Sequence, residues 1–306
     1  MRQRRLRSQV WVAPFLALAP TATKPNVAAF SRGSSLPTST LQAQKSTDIV
    51  FVRHGCTYMN EYLGQGPSFG APYFTDVFRD APARDRYHDT PLSERGWRQV
   101  RQLQTDQPDF VHDVDLVVVS PLRRALQTFH LGLSEWVGQQ SPALASTRPH
   151  PSTPRRHVPI IAHPAAAERL YLVSDVGRPV SLLRQDYPYI DFDTHFTDDP
   201  QWWWRHNPVR DGPYQEWRPT GQGQAYACWS EPQHAFDARM HHLYAFLRTQ
   251  VAGGKYRTIA VVCHHGVIDW MLGQNFDNCQ WRRVPWQEIQ PAALSIPTTT
   301  VRNAPK

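Results

Sequence analysis

Four short apolar runs constrain this chain more than any other feature. They are Asp48 to Arg53 (D-I-V-F-V-R), Val114 to Val119, Val158 to Ala162 and Thr258 to Cys263. Each is only five or six residues of mostly β-branched character, too short for a helix and apolar on both faces. Such runs suit strands buried on both sides, which is how parallel sheets are built. Helical patterns lie between them. Ser93 is placed to N-cap a helix carrying Val100 and Leu103. Pro121 precedes Leu122, Leu126 and Phe129 at helical spacing. Phe236, Met240, Leu243, Tyr244, Leu247 and Val251 share one face of a long helix ended by Gly253-Gly254. A further helix runs from His265 to about Leu272. Alternating strands and helices predict a three-layer α/β/α sandwich around a mostly parallel sheet.

The remaining segments are connections and insertions. Gly64 to Asp89 reads as a long loop, and Gln139 to His157 as a Pro/Ser/Arg-rich insertion. The stretch 175–232 is dense in Trp, Tyr and Pro without clean periodicity. It is expected to be an aromatic-rich cap with short helices over a site. No internal repeat is present.

Charge separates the N-terminal segment from the rest. The 306 residues carry a formal charge of +7. Residues 1–47 hold seven basic residues and no acidic one; removing those seven from 33 leaves 26, against 26 acidic residues. The balance of the body argues against a nucleic-acid partner, which needs a basic patch on the folded domain. The basic start, the apolar stretch Val10 to Pro20 and the Ser/Thr-rich tail suit an organelle-targeting segment. Ala28-Ala29-Phe30 resembles the junction of bipartite plastid presequences, so a plastid (chloroplast) is expected ahead of a mitochondrion. The expected domains are therefore 1–47, targeting or disordered, and 48–306. The sequence has no run of about 18 apolar residues, so stable membrane insertion is not expected. Four cysteines without a C-x-x-C make neither a disulfide framework nor a cysteine zinc cage.

In open α/β sheets ligands bind beyond the carboxyl ends of the strands. There the chain places Arg53-His54-Gly55-Cys56-Thr57-Tyr58-Met59-Asn60, then Ser120-Pro121-Leu122-Arg123-Arg124-Ala125-Leu126-Gln127-Thr128, and finally Cys263-His264-His265-Gly266. Glu168 follows the third run. Brought together, these give a cationic pocket for a phosphoryl group: arginine forks match phosphate oxygens, an imidazole can attack phosphorus, and a carboxyl can protonate a departing alcohol.

These blocks resemble the histidine phosphatase superfamily, also called phosphoglycerate-mutase-like. R-H-G-x-T-x-x-N is matched by Arg53, His54, Gly55, Thr57 and Asn60. S-x-x-R-A-x-Q-T is matched by Ser120, Arg124, Ala125, Gln127 and Thr128. D-x-P-L-S-x-x-G-x-x-Q is matched by Asp89, Pro91, Leu92, Ser93, Gly96 and Gln99, and the late H-G by His265-Gly266. The resemblance implies that His54 is the nucleophile that becomes a phosphohistidine. It implies that Arg53, Arg124 and His265 clamp the phosphoryl oxygens, with Asn60 as a supporting contact. Glu168 would be the proton donor and later the base for water, with Asp175 the other candidate. No cofactor or metal is implied. The expected activity is phosphoric monoester hydrolysis of a small phosphorylated metabolite. The alternatives are a phosphoglycerate-type phosphomutase and a non-catalytic module binding phospho-ligands.

Glu168 is followed by Arg-Leu-Tyr-Leu-Val-Ser-Asp-Val-Gly, not the Arg-His-Tyr-Gly of the mutase branch. That departure, with Tyr187-Pro188 and Trp202-Trp203, resembles phosphatase-like members instead. His264 is read as a packed neighbour of the pocket and Arg123 as a surface residue. Cys56 and Cys263 are read as inert buried thiols, His241-His242 as a helix-surface pair, and Trp202, Trp203 and Trp204 as packing the cap against the sheet or lining a substrate pocket.

Overall fold

The computed structural model describes residues 46–65, 86–106, 113–134, 158–196, 202, 231 and 233–291. The targeting segment 1–47 lies outside them except for its last two residues, as do the insertion 139–157 and most of the loop 64–89. Lys45–Lys306 is one compact unit.

The chain order is β1 (Asp48–Arg53), α1 (Tyr58–Gly64), α2 (Glu94–Asp106), β2 (Leu116–Val119), α3 (Arg123–Gly132) and β3 (Ile160–Ala162). It continues through α4 (Val180–Asp186), α5 (Gln233–Ala252), β4 (Thr258–Cys263), α6 (His265–Leu272) and β5 (Trp281–Pro285). One sheet has the order β3-β2-β4-β1-β5. Its β1–β4, β2–β4 and β2–β3 pairs are parallel, and only β5 is antiparallel, against β1. β5 is absent from the strand runs of the sequence. Its sequence W-R-R-V-P buries only Val284, as an edge strand does, so it lacks the apolar run that marks the others.

Strand alternation sends each apolar run to two cores. Val50, Val52, Val117, Val119, Ala260 and Val262 pack on one face with Leu122, the N-cap of α3, Leu126 and Phe129 of α3 and Leu183 of α4. Ile49, Phe51, Leu116, Val118, Ile259 and Val261 pack on the other with Phe236, Met240, Leu243 and Leu247 of α5 and Ile268 and Met271 of α6. This is the expected three-layer α/β/α arrangement. The side chains named are almost wholly buried, and each except Ala260 is worth about 1.5–3 kcal/mol of apolar transfer.

The described part of the stretch expected to form a cap packs against the sheet. Val180, Leu183, Tyr187, Ile190, Phe192, Phe196 and Trp202 belong to the first core, packed with β2, β3 and α3. The Trp202 indole N–H donates to the Arg178 carbonyl at 2.7 Å, and its ring meets Phe196 edge-on at 5.6 Å. Gly177 is dictated by this packing, since a Cβ there would lie 2.3 Å from the Trp202 ring. The aromatic density of this stretch is thus core, delivered by turns and one short helix that leave no helical or strand period. Trp203, Trp204 and the rest of 197–230 lie outside the described residues.

The topology fixes where a site forms. β1 and β4 are neighbours in the middle of the sheet, with Arg53 opposite Cys263. After β1 the Gly55 N–H bonds Thr128 of α3 on one face; after β4 the chain enters α6 on the other. The strand ends therefore part around a crevice.

Candidate active site

The crevice is a pocket of about 550 Å³ lined by Arg53, His54, Asn60, Arg124, Glu168 and His265. All six sequence-derived candidates thus reach one space, from β1, α1, α3, the turn after β3, and α6.

Hydrogen bonds among the motif residues brace the loops around the pocket. The Gly55 N–H donates to Thr128 Oγ1 at 3.0 Å, and that hydroxyl donates to the Arg124 carbonyl at 2.7 Å. The Cys56 N–H donates to Gln99 Oε1 and the Leu92 N–H to Gln127 Oε1, each at 2.9 Å. A Cβ on Gly96 would lie 1.9 Å from the Cys56 carbonyl oxygen, so only glycine lets α2 approach the loop. Thr57 N-caps α1, and Asn60 closes the capping box by accepting from the Thr57 N–H at 3.1 Å. Arg123 is not a surface residue. It folds back, donating through Nε to the Asp89 carbonyl at 2.8 Å and through Nη2 to the His88 carbonyl at 3.2 Å.

His54 is 4% exposed. Its Nδ1 lies 2.7 Å from the Gly55 carbonyl oxygen, an acceptor, so Nδ1 carries the proton and Nε2 keeps the lone pair. Burial, with the charges of Arg124 and then Arg53, holds this imidazole well below its ordinary 6.5 and hence neutral. Arg53 donates to the Phe276 carbonyl, and its buried Nε finds no partner among the described residues.

Arg124 is held from three sides. Nη2 pairs with Asp175 Oδ1 at 2.9 Å, Nη1 donates to the Ser174 carbonyl at 2.6 Å, and Nε donates to His264 Nδ1 at 3.2 Å. Asp175 is occupied further by the N–H groups of Tyr171 and Leu172 at 3.2 and 2.9 Å. It is the buried counter-ion of Arg124 and lines the same pocket.

His264 is wholly buried and is the residue that sequence reasoning undervalued. Because its Nδ1 accepts from Arg124, its Nε2 carries the proton, given to Ser120 Oγ at 2.6 Å. Its ring lies 5.0 Å from that of His54, centroid to centroid. The sequence held a signal for this: β1 and β4 are six residues each and pair Arg53 with Cys263, so the next positions, 54 and 264, stand side by side. His265, one residue further on, opens α6 and lies on the pocket wall.

Glu168 follows the 3-10 turn Pro164–Ala166. The Gly266 N–H donates to both carboxylate oxygens at 3.2 Å, and the Arg169 N–H to Oε1 at 2.9 Å. Burial, reinforced by the charge of Asp175, raises this carboxyl above its ordinary 4.5, against the pull of Arg124 and the two N–H donors. A neutral imidazole and a carboxyl inclined to hold its proton thus share one pocket. Beyond them the wall is formed by Met59, Leu63, Tyr171, Leu172, Phe236 and Trp270.

The described residues contain no group of His, Cys, Asp or Glu able to hold a metal ion, and no helix long and apolar enough to cross a membrane. Cys56 and Cys263 are buried, and burial pushes both thiols up, away from the reactive thiolate.

Comparison with known proteins gives three findings. The model of the histidine phosphatase superfamily (branch 1) matches residues 75–141. A protein of Schizosaccharomyces pombe named as a probable phosphatase is 27% identical over 115 residues. That match covers 38% of this chain and 45% of the relative, so the chain spans less than half of the relative's length. Among solved structures, the α-ribazole phosphatase of Shigella flexneri is 20% identical with a TM-score of 0.41, over 78% of this chain and 89% of that one. The ecdysone phosphate phosphatase of Bombix mori is 15% identical with a TM-score of 0.42, over 78% and 88%. The phosphoglycerate mutase of Thermus thermophilus is 18% identical with a TM-score of 0.35, over 78% and 94%.

Proposed function

We propose that this chain, which belongs to the histidine phosphatase superfamily, hydrolyses phosphoric monoesters through a phosphohistidine on His54. The single observation that carries this reading is geometric: His54 turns Nδ1 to the Gly55 carbonyl, which leaves Nε2 as the nucleophilic nitrogen, in the same pocket as the Glu168 carboxyl. His54 has its proton fixed on Nδ1 and is held neutral, while Glu168, in the same pocket, is biased towards its protonated form.

In the first step the Nε2 lone pair of His54 forms a bond to phosphorus as the ester P–O bond breaks. Glu168 gives its proton to the departing alcohol oxygen. In the second, water attacks the phosphohistidine, the N–P bond breaks, and Glu168 takes a proton from that water. Arg53, Arg124 and His265 surround the phosphoryl oxygens and offset the charge that spreads over them in the transition state. Asn60, fixed by the capping box, presents its amide on the same wall. No step requires a cofactor. The substrate is a small phosphorylated metabolite whose alcohol portion meets the apolar and aromatic side of the pocket.

The test is trapping. Residues 48–306 are mixed with an aryl phosphate, quenched rapidly without acid and analysed by mass spectrometry, alongside His54→Ala. A phosphate adduct on His54, with turnover that His54→Ala lacks, is expected. Turnover unchanged in His54→Ala would overturn the reading. Exchange between monophosphoglycerates without phosphate release would make the protein a mutase, and neither adduct nor turnover would favour a binding role. We also propose that residues 1–47 direct import into a plastid. A fluorescent fusion to those residues is expected in that organelle, and a cytosolic signal would refute it.

A further inference from the structure

We infer that Arg239, on α5 and outside the pocket, is the positioning residue for the proton donor, clamping the backbone of the Glu168 turn. The inference rests on the reading of Glu168 as the acid and extends it to a residue with no contact to substrate.

The turn between β3 and Asp175 has little regular structure of its own. Its short 3-10 turn is capped by His163, whose Nδ1 accepts from the Ala165 N–H at 3.1 Å. The carbonyls of Ala165, Ala167 and Glu168 have no helix or sheet ladder to enter, and all three converge on one guanidinium. Arg239 Nη1 donates to Ala165 O at 3.0 Å and to Ala167 O at 2.7 Å, and Nη2 donates to Glu168 O at 3.2 Å. The other two N–H groups go to a carboxylate, Nε to Glu231 Oε1 at 2.8 Å and Nη2 to Glu231 Oε2 at 2.6 Å. All five guanidinium donors are therefore used.

Glu231 completes the clamp. Its N–H donates to the Leu170 carbonyl at 2.9 Å, and its own carbonyl accepts from Arg169 Nε at 3.0 Å. The ion pair is largely withdrawn from water, with side chains 16% and 12% exposed. The fork lies over the Phe236 ring, 5.1 Å from its centroid, on the helix that forms one pocket wall. A lysine in place of Arg239 has one nitrogen and three donors, so it cannot reach three carbonyls and both carboxylate oxygens together. The consequence falls on Glu168, whose carboxyl must meet the leaving oxygen. A displacement of about 1 Å at such a group costs on the order of 10²-fold in rate.

The experiment exploits leaving groups. A nitrophenol departs as a stable anion and needs no proton, whereas a primary alcohol does. The ratio kcat/KM reports the steps up to departure of the alcohol, so it isolates the acid role from the later base role. It is measured in the full chain for Arg239→Lys, Glu231→Gln and Glu168→Gln with p-nitrophenyl phosphate and with a primary alkyl phosphate. Melting temperatures are recorded for each.

For Arg239→Lys, kcat/KM is expected to fall about 10²-fold on the alkyl ester and less than about threefold on the nitrophenyl ester. Glu231→Gln keeps the shape of the clamp and should show the same contrast more weakly; it carries the test if Arg239→Lys does not fold. The double variant Arg239→Lys/Glu168→Gln should be no worse on the alkyl ester than Glu168→Gln alone, because both act through one proton. A general structural weakening would not produce that non-additivity. Equal losses on the two esters, or additive losses in the double variant, would overturn the positioning role while leaving Glu168 in place. Absence of the contrast in Glu168→Gln itself would overturn the acid assignment, and this inference with it.

Discussion

Gly266→Ala should separate activity from stability. Gly266 lies in the first turn of α6 and is not one of the positive-φ residues, so its backbone does not strain an alanine. Helix propensity therefore favours the substitution by about 1 kcal/mol. Its Cβ, however, would fall 2.3 Å from Glu168 Oε1, where ordinary contact begins at 3.4 Å. The obstructing atom is the end of a flexible side chain, so the fold yields little and the carboxyl moves about 1 Å. That retreat lengthens the two hydrogen bonds from the Gly266 N–H, now 3.2 Å each. A 1 Å error at the proton donor corresponds to about 10²-fold in rate, or about 2.7 kcal/mol of barrier.

The assay is kcat/KM on the same pair of esters, with thermal unfolding beside it. The melting temperature should stay level or rise by a few degrees. On the alkyl ester kcat/KM should fall by about 10²-fold, and on the nitrophenyl ester by less than about threefold. Alkyl activity within about threefold of the parent would show that Glu168 does not need its present place. An equal loss on both esters would mean that the new methyl group blocks the pocket wall instead of moving the acid. Either result refutes the reasoning.

The pH profile of kcat/KM should be bell-shaped on the mildly acidic side. Its acid limb reports His54, held below 6.5, and its alkaline limb Glu168, raised above 4.5; Glu168→Gln should erase the alkaline limb, and a flat profile from about pH 4 to 9 would contradict the pairing of roles. His264→Ala should lower kcat/KM by about 10²-fold by releasing Arg124, and His265→Ala by about 10-fold through loss of one phosphate contact; equal activity of His264→Ala and parent would remove the brace. Asp89 is buried and its carboxyl is pushed up to about 6 from 3.8, so the folded state prefers it protonated; this contribution is complete below about pH 3.8 and lost as pH rises through about 6. Asp89→Asn, which keeps an acceptor for the Arg123 N–H, should therefore add up to about 3 kcal/mol at pH 7 to 8 and little at pH 4 in urea unfolding, and no pH dependence of that gain would refute the burial argument.

What was legible in the sequence, and what was not, divides by the range of the interaction. β1 and β4 were readable because a strand covered on both faces must be apolar at every position, and α5 because its core contacts recur at one helical period. β5 was not, because an edge strand with one buried residue writes no pattern. The described aromatics of 180–202 join the core without writing a pattern, because turns carry packing residues without a period. The same division runs through the site. The groups that would meet phosphate were visible because each stands within a few residues of a strand end, in blocks whose spacing is local. The contacts that hold them were not. Asp175 meets Arg124 across 51 residues, His264 meets it across 140, and Arg239 meets the Glu168 carbonyl across 71. Those pairings exist only once the sheet order β3-β2-β4-β1-β5 sets α3, α5 and the turn after β3 around one crevice. His264 is the instructive case, since equal strand lengths and a parallel register already place it beside His54. Register thus carries information about a site that residue motifs alone do not, and it favours looking for a brace wherever two paired strands end at the same level.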